Sequence, residues 1–329
     1  MFSMEFTSRQ PLREPWTRER LIHERAIAIG SSIDLSTQHS YTSHLQSYLT
    51  FCKIHHFPVD PTPDTLSFFT VYMCHHIKPS SVDSYLSGIC NQLEPFFPNV
   101  RAARKSPLVS RTLAGCKRTL GTAVVRKRPL GTEDLQKCLL AFPATSYDNL
   151  LFRALLVAGF LGLHRLGELV RPSKGDIWRK TIPRTSASLD PTHRRFQYRL
   201  PTSKTDHIFE GCVILLGEHI DGLPSFDIFA NYLIARDHLF PLSPPLWIAS
   251  SGDVPSREWF LSRLNSVLND PAVGEHSLRA GGATFFASLG WPDDRIQQLG
   301  RWKSDAFRIY IRKNPIFFNA LMLGRAMRF

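Results

Sequence analysis

From about residue 36 onward, apolar residues recur at three- and four-residue steps. Tyr41, Leu45, Tyr48, Leu49 and Cys52 keep this spacing behind Ser36, which suits an N-cap. A second helix is expected from about Asp64, with Leu66, Phe69, Val71 and Tyr72 inward. A third is expected from Ser81, with Val82, Tyr85, Leu86, Ile89 and Leu93, and a weaker fourth uses Leu108, Val109, Leu113, Cys116 and Leu120. Connections bearing Pro58, Pro61, Pro63, Pro79, Pro98 and Pro107 separate them, as in an antiparallel helical bundle, and no internal repeat is apparent. Residues 1–30 lack sustained periodicity and read as a flexible arm, and residues 31–124 read as an all-helical domain.

The pattern changes over Ala123-Val-Val-Arg-Lys-Arg-Pro-Leu130, which marks a basic linker at 125–130 ahead of a second domain at 131–329. There Thr132 is placed to cap a helix carrying Leu135, Cys138 and Leu139, and a strongly apolar helix spans about Tyr147–Leu161. Strand signals occur only in the middle: Phe196-Gln-Tyr-Arg-Leu200 alternates and Ile208–Leu216 is β-branched and apolar. The polar Pro201–Asp206 between them makes a hairpin with Lys204 at its tip. Helical spacing returns at about Ser225. The expected fold class is therefore mainly α with a small antiparallel β-sheet.

Composition narrows the function classes. The longest apolar run, Ala154–Leu163, falls short of the roughly 20 residues a bilayer-spanning helix needs, so no membrane role is expected. The N-terminal segment has no secretory h-region, and the six scattered cysteines read as reduced thiols of an intracellular protein. Cys52-Lys-Ile-His-His56 and Cys74-His-His76 lack a paired CxxC, so no metal site is expected. The net charge of +12 favours a polyanionic partner. Its distribution sharpens the point: no acidic residue lies between Glu94 and Glu133. The same window holds Arg101, Arg104, Lys105, Arg111, Lys117, Arg118, Arg126, Lys127 and Arg128. A solvated basic linker would look similar, but nine like charges repel unless a polyanion compensates them.

Several polar residues of the second half fall where packing alone does not require them. Arg165 follows the apolar helix in Gly162-Leu-His-Arg-Leu-Gly-Glu-Leu169, with Glu168 placed to hold its guanidinium at i,i+3. Glu275-His-Ser-Leu-Arg-Ala-Gly-Gly-Ala-Thr284 sets His276 and Arg279 one helical turn apart, followed by residues small enough for a close backbone approach. Gly300-Arg-Trp-Lys-Ser-Asp305 then leads to Tyr310. Read singly, Arg165 with Glu168 is an ion pair, His276 a helix cap and Tyr310 a core residue. Taken together, two arginines, a histidine, a hairpin lysine and a late tyrosine suit attack of a phenol on a phosphodiester. Guanidinium forks match the charge on its non-bridging oxygens, and the attacking and leaving oxygens need a base and an acid on opposite sides.

In order and spacing these residues resemble the tyrosine recombinase (phage integrase) superfamily. The resemblance implies a helical, SAM-like core-binding domain, a basic linker and a mixed α/β catalytic domain. It implies that Arg165 and Arg279 clamp the scissile phosphate and that Tyr310 becomes a 3′-phosphotyrosine. Lys204 would protonate the leaving 5′ oxygen, with Lys174 and Lys180 as competing lysines, and His276 would assist at the nucleophile. Trp302 stands where many members carry His and others Trp, which implies a packing and phosphate-contact role. The resemblance further implies double-stranded DNA as partner, a homotetramer on paired sites, no small-molecule substrate, and neither ATP nor a metal as cofactor. It extends to recombinases of mobile elements, and in a eukaryotic host it implies a nuclear protein. The apolar stripe Ile316, Phe317, Ala320, Leu321 and Leu323 would form a C-terminal helix that docks on a neighbour or on its own domain. A type IB topoisomerase uses similar residues as a monomer, and a protein that kept the fold but lost catalysis would only bind DNA.

Overall fold

The computed structural model describes residues 13–123, 126–171, 177–202, 210–220 and 222–308. The chain forms two compact units, Met1–Ala123 and Val124–Phe329. Among the described residues no helix is long and apolar enough to cross a membrane.

The first unit is helical: α1 (Arg18–Gly30), α2 (Leu35–Ile54), α3 (Pro63–His76), α4 (Pro79–Leu93), α5 (Val100–Lys105) and α6 (Pro107–Thr119). Its core gathers Tyr48, Phe51, Leu66, Phe69, Val82, Leu86, Ile89, Val109 and Leu113. Helix starts differ from expectation by a residue or two, for local reasons. Asp34, not Ser36, caps α2, accepting from the Ser36 N–H at 2.8 Å. Pro63, Pro79 and Pro107 are first-turn residues of α3, α4 and α6 rather than connections, because a first-turn residue needs no N–H donor. Val71 and Leu108 face solvent although the spacing predicts both inside, while Met73 and Cys74 are buried on α3. Part of the expected N-terminal arm, residues 18–30, is the helix α1, which buries none of its residues.

The second unit contains α7 (Thr132–Ala141), α8 (Tyr147–Leu161), the short α9 (Leu166–Leu169) and α10 (Ile177–Lys180). Three strands follow, β1 (Ser188–Asp190), β2 (Arg195–Leu200) and β3 (Cys212–Leu216), then α11 (Ser225–Leu239), α12 (Arg257–Leu268), α13 (Ser277–Ser288) and α14 (Asp293–Leu299). The sheet is antiparallel in the order β1-β2-β3, with Tyr198 opposite Ile214. Phe196, Tyr198 and Leu200 turn inward while Arg195, Gln197 and Arg199 stay outside, the period-2 pattern of a one-sided sheet. β1 carries no sequence signal of its own: three residues are too few to show alternation. Gly131 rather than Thr132 caps α7, with the Asp134 carboxylate accepting from the Gly131 N–H at 2.9 Å.

α8 is the central element, buried continuously from Ala154 to Leu161, with α11 and α13 against it. The double glycine of α13 makes that crossing possible. A Cβ at Gly282 would strike the Phe160 carbonyl oxygen, and one at Gly281 the Leu130 carbonyl oxygen. The close approach expected at these glycines is thus made by backbone of α8 and of the segment preceding α7. Leu130 is itself fastened by its N–H to the Ser277 carbonyl at 3.0 Å. This close packing brings the first turn of α13, with Arg279, beside the end of α8.

Candidate active site

The apolar run of α8 ends in a turn, and the turn organises the site. Leu163 adopts a left-handed conformation, φ 49°, uncommon for a branched side chain and costing roughly 1–2 kcal/mol. It turns the Leu163 carbonyl towards two guanidinium groups. Arg279 Nη1 donates to that oxygen at 2.6 Å and Arg301 Nη2 at 3.3 Å. Arg279 Nη2 donates to the Gly300 carbonyl, and its guanidinium lies 4.0 Å from the centroid of the Trp302 ring. Two successive parts of the 300–302 turn, a carbonyl and an aromatic face, thus hold one buried arginine.

Arg165, two residues beyond Leu163, sits at the N-cap position of α9. Its Nη1 donates to Glu168 Oε1 at 2.9 Å, so the expected i,i+3 pair forms. The side chain is 24% exposed, and its Nε and Nη2 make no hydrogen bond among the described residues. These are donors open to an anion.

Glu168 does more than the sequence suggests. Its carboxylate, 8% exposed, also accepts from the Arg165 backbone N–H at 3.1 Å, from Arg301 Nη2 at 3.0 Å and from His164 Nδ1 at 3.1 Å. Burial alone would raise its pKa, but the His164 hydrogen bond and the charge of Arg301 outweigh it and hold the carboxyl well below the usual carboxylate range. His164 is fully buried, and burial pushes it down to about 4. The imidazole is therefore neutral at pH 7. With a carboxylate on one side its proton belongs on Nδ1, and Nε2 accepts from the Tyr198 hydroxyl at 2.7 Å. Arg301 Nη2, 3.5 Å from that same Nδ1, is then in van der Waals contact only. Through Tyr198 the cluster is tied to β2. Among the described residues, one carboxylate here faces the guanidiniums of Arg165, Arg279 and Arg301, a local balance of +2.

His276 stands at the N-cap position of α13, immediately before the turn bearing Arg279, and its side chain is 59% exposed. Its Nε2 is 3.4 Å from Glu275 Oε1, and the other Glu275 oxygen takes Arg257 from the start of α12. The expected Lys204 and Tyr310 lie outside the described residues, as do Lys174 and the C-terminal stripe at 316–323. The structure therefore brings together Arg165, Arg279 and Trp302, with His276 one helical turn from Arg279. It adds His164, Arg301 and Tyr198, which the sequence pattern does not single out. His164 has one signal, a polar residue closing an apolar run. Arg301 has none beyond its place between Gly300 and Trp302.

The nine expected DNA-contacting residues divide by partner. Arg101 pairs with Glu94, and Arg104 and Lys117 with Asp83. Arg128 bridges Asp134 and Asp270, each at 2.6 Å, and Lys127 Nζ donates to the Pro271 carbonyl. Lys105, Arg111, Arg118 and Arg126 are exposed and make no ion pair among the described residues.

In sequence the chain matches no protein-family model and no curated protein. In structure it is similar to the Tn1549 transposon integrase in complex with circular intermediate DNA, with a TM-score of 0.58 at 13% identity over 92% of this chain and 98% of that one. It is also similar to lambda integrase bound to DNA, TM-score 0.56 at 15% identity over 88% and 92%. A third similarity is to the XerH site-specific recombinase on palindromic difH substrate in a post-cleavage complex, TM-score 0.55 at 16% identity over 80% and 73%. The chain has the tyrosine recombinase fold. In it, a mostly helical chain carries one small antiparallel sheet, and the arginine cluster lies where α8, α9, α13 and the 300–302 turn meet.

Proposed function

We propose that this protein cuts and rejoins duplex DNA by transesterification through Tyr310. The observation that carries the reading is the cluster around Leu163, where Arg165 and Arg279 are held beside Glu168 with a local excess of positive charge and open donors on Arg165. A phosphodiester is the anion this arrangement suits, since forked guanidiniums match its non-bridging oxygens and stabilise them most as charge builds in the transition state. In the proposed step the Tyr310 oxygen bonds to phosphorus, the bond from phosphorus to the 5′ oxygen breaks, and Lys204 gives that oxygen a proton. The phenol proton passes to His276, whose exposed ring beside Glu275 can accept it. The reverse reaction on a new 5′ hydroxyl rejoins the strand, and the tyrosyl ester conserves the bond energy between steps. The Trp302 ring has no group that titrates near neutrality and keeps Arg279 in place. Action as a homotetramer on two sites belongs to the same proposal, and it draws on the neighbouring fold of lambda integrase, solved as a tetramer on a Holliday junction.

The test is a nicked suicide substrate, on which the protein should form a denaturation-resistant DNA adduct. Tyr310→Phe should bind DNA as the unchanged protein does and form none; an adduct persisting in that variant overturns the assignment. DNA affinity should fall steeply with salt. Neutralising Lys105, Arg111, Arg118 and Arg126 should flatten log K against log salt by up to about 0.9 for each phosphate that is no longer neutralised. Arg128→Ala should leave that slope unchanged and lower stability instead, because Asp134 and Asp270 lose their shared partner. A flatter slope in Arg128→Ala would place that residue on the DNA.

A further inference from the structure

The turn at 300–302 holds both Arg279 and Arg165, by different means. Gly300 and Trp302 act on Arg279 directly, through a carbonyl and a ring face. Arg301, between them, points to the other side and reaches Glu168, which in turn holds Arg165 by backbone and side chain. We propose that Arg301 is a positioning residue, which acts through Glu168 to fix Arg165 relative to Arg279 so that the two guanidiniums grip one tetrahedral oxyanion. The assignment deepens the reading of the site as one for phosphodiester cleavage and rests on it.

The geometry shows what it costs to keep Arg301 here. Its backbone is left-handed at φ 58°, and its Nε is buried with no hydrogen-bond partner among the described residues. Its remaining donors all go to the turn after α8, to α9 and to the end of α14: Nη1 to the Gly162 and Leu299 carbonyls at 3.1 Å each, Nη2 to Leu163 and Glu168. Each Nη of Arg301 donates to two acceptors inside the protein, so its four terminal hydrogens are all engaged and none is left for a ligand. What it provides is the orientation of its neighbours. Gly300 is part of the same device. A Cβ there would fall within the Trp302 ring, so Gly300→Ala must displace that ring from Arg279.

A stabilising ion pair and a positioning residue give different results when both partners are neutralised. Arg301→Gln takes from the buried Glu168 carboxylate the more deeply buried of its two cations and should lower the unfolding midpoint. The double variant Arg301→Gln/Glu168→Gln removes the under-compensated charge and should recover much of it. Adduct formation at saturating DNA should fall about 100-fold in Arg301→Gln with DNA affinity nearly unchanged, and it should stay low in the double variant, where Arg165 has lost its ionic hold. Arg301→Lys, which keeps the charge but not the fork, should recover part of the rate. Recovery of the rate together with stability in the double variant overturns the proposal, as does a loss of rate in Arg301→Gln that only follows a loss of affinity. Inorganic vanadate gives a readout independent of cleavage. The unchanged protein should bind it, and Arg165→Gln and Arg301→Gln should each weaken it at least tenfold. If the unchanged protein forms no adduct yet shows this vanadate pattern, the cleavage reading fails and the positioning role stands. If vanadate does not bind, or binds Arg301→Gln as well as the unchanged protein, the positioning role fails.

Discussion

Arg279→Met is expected to be among the most damaging single substitutions in this chain, in two separable ways. Arg279 is 2% exposed, and methionine of similar length fills its volume but leaves the Gly300 carbonyl without its Arg279 donor and the Leu163 carbonyl with that of Arg301. Losing buried hydrogen-bond partners costs about 1–3 kcal/mol each, so the second unit should lose about 2–4 kcal/mol. Adduct formation should fall further than this instability explains, by roughly 10²–10³ under conditions where the variant is folded, the size of effect seen when one oxyanion-stabilising donor is removed. Arg279→Lys restores charge but cannot serve both carbonyls while lying flat on Trp302, so it should sit between. Urea unfolding followed by tryptophan emission isolates the relevant unit, because five of the six tryptophans belong to it. A methionine variant as stable as the unchanged protein would show that the two carbonyls do not depend on Arg279.

How much of this is legible in the sequence depends on whether the partners are near in the chain. The hold of Glu168 on Arg165 and the one-turn separation of His276 from Arg279 are helix-local, and both appear as expected. The double glycine announces a close approach, but its neighbours Leu130 and Phe160 are more than a hundred residues away, and no local pattern names them. The same holds for Arg301, whose role exists only because the 300–302 turn folds against the end of α8. The acid-free stretch misleads in a related way. Its nine charges look equivalent because the window holds no acid, yet Asp83, Glu94, Asp134 and Asp270, all beyond its edges in sequence, stand next to four of them in space. The helix α1 leaves no trace in the pattern for the opposite reason, since a helix that buries no residue needs no apolar stripe.

The buried imidazole of His164 should make the second unit lose stability as the pH drops from neutrality. In the folded chain its pKa is down at about 4, and in the unfolded chain it returns to the usual value near 6.5. Between these values the unfolded chain binds a proton that the folded chain refuses, so acid favours unfolding. The stabilising contribution is complete above pH 6.5 and is lost as the pH falls to 4, a total of about 3 kcal/mol. The groups facing the ring act in both directions. Glu168 favours the proton, Arg301 and Arg279 oppose it, and the Tyr198 hydroxyl occupies Nε2 as a donor that a protonated ring could no longer accept. Glu168, held low in the folded state, adds a loss of the same sign only below about pH 4.5, where the unfolded carboxyl begins to protonate. His219 of the same unit, also pushed down by burial, works in the same direction, so the contribution of His164 must be read as a difference. His164→Asn supplies that difference: its amide can still donate towards Glu168 but does not titrate. Unfolding free energies from tryptophan emission between pH 7.5 and 4.5 should converge for the two proteins as the pH falls, with the variant less stable at neutrality. Parallel curves would mean that His164 takes up its proton as readily in the folded chain as in the unfolded one, and the lowered pKa assigned to it would then be wrong.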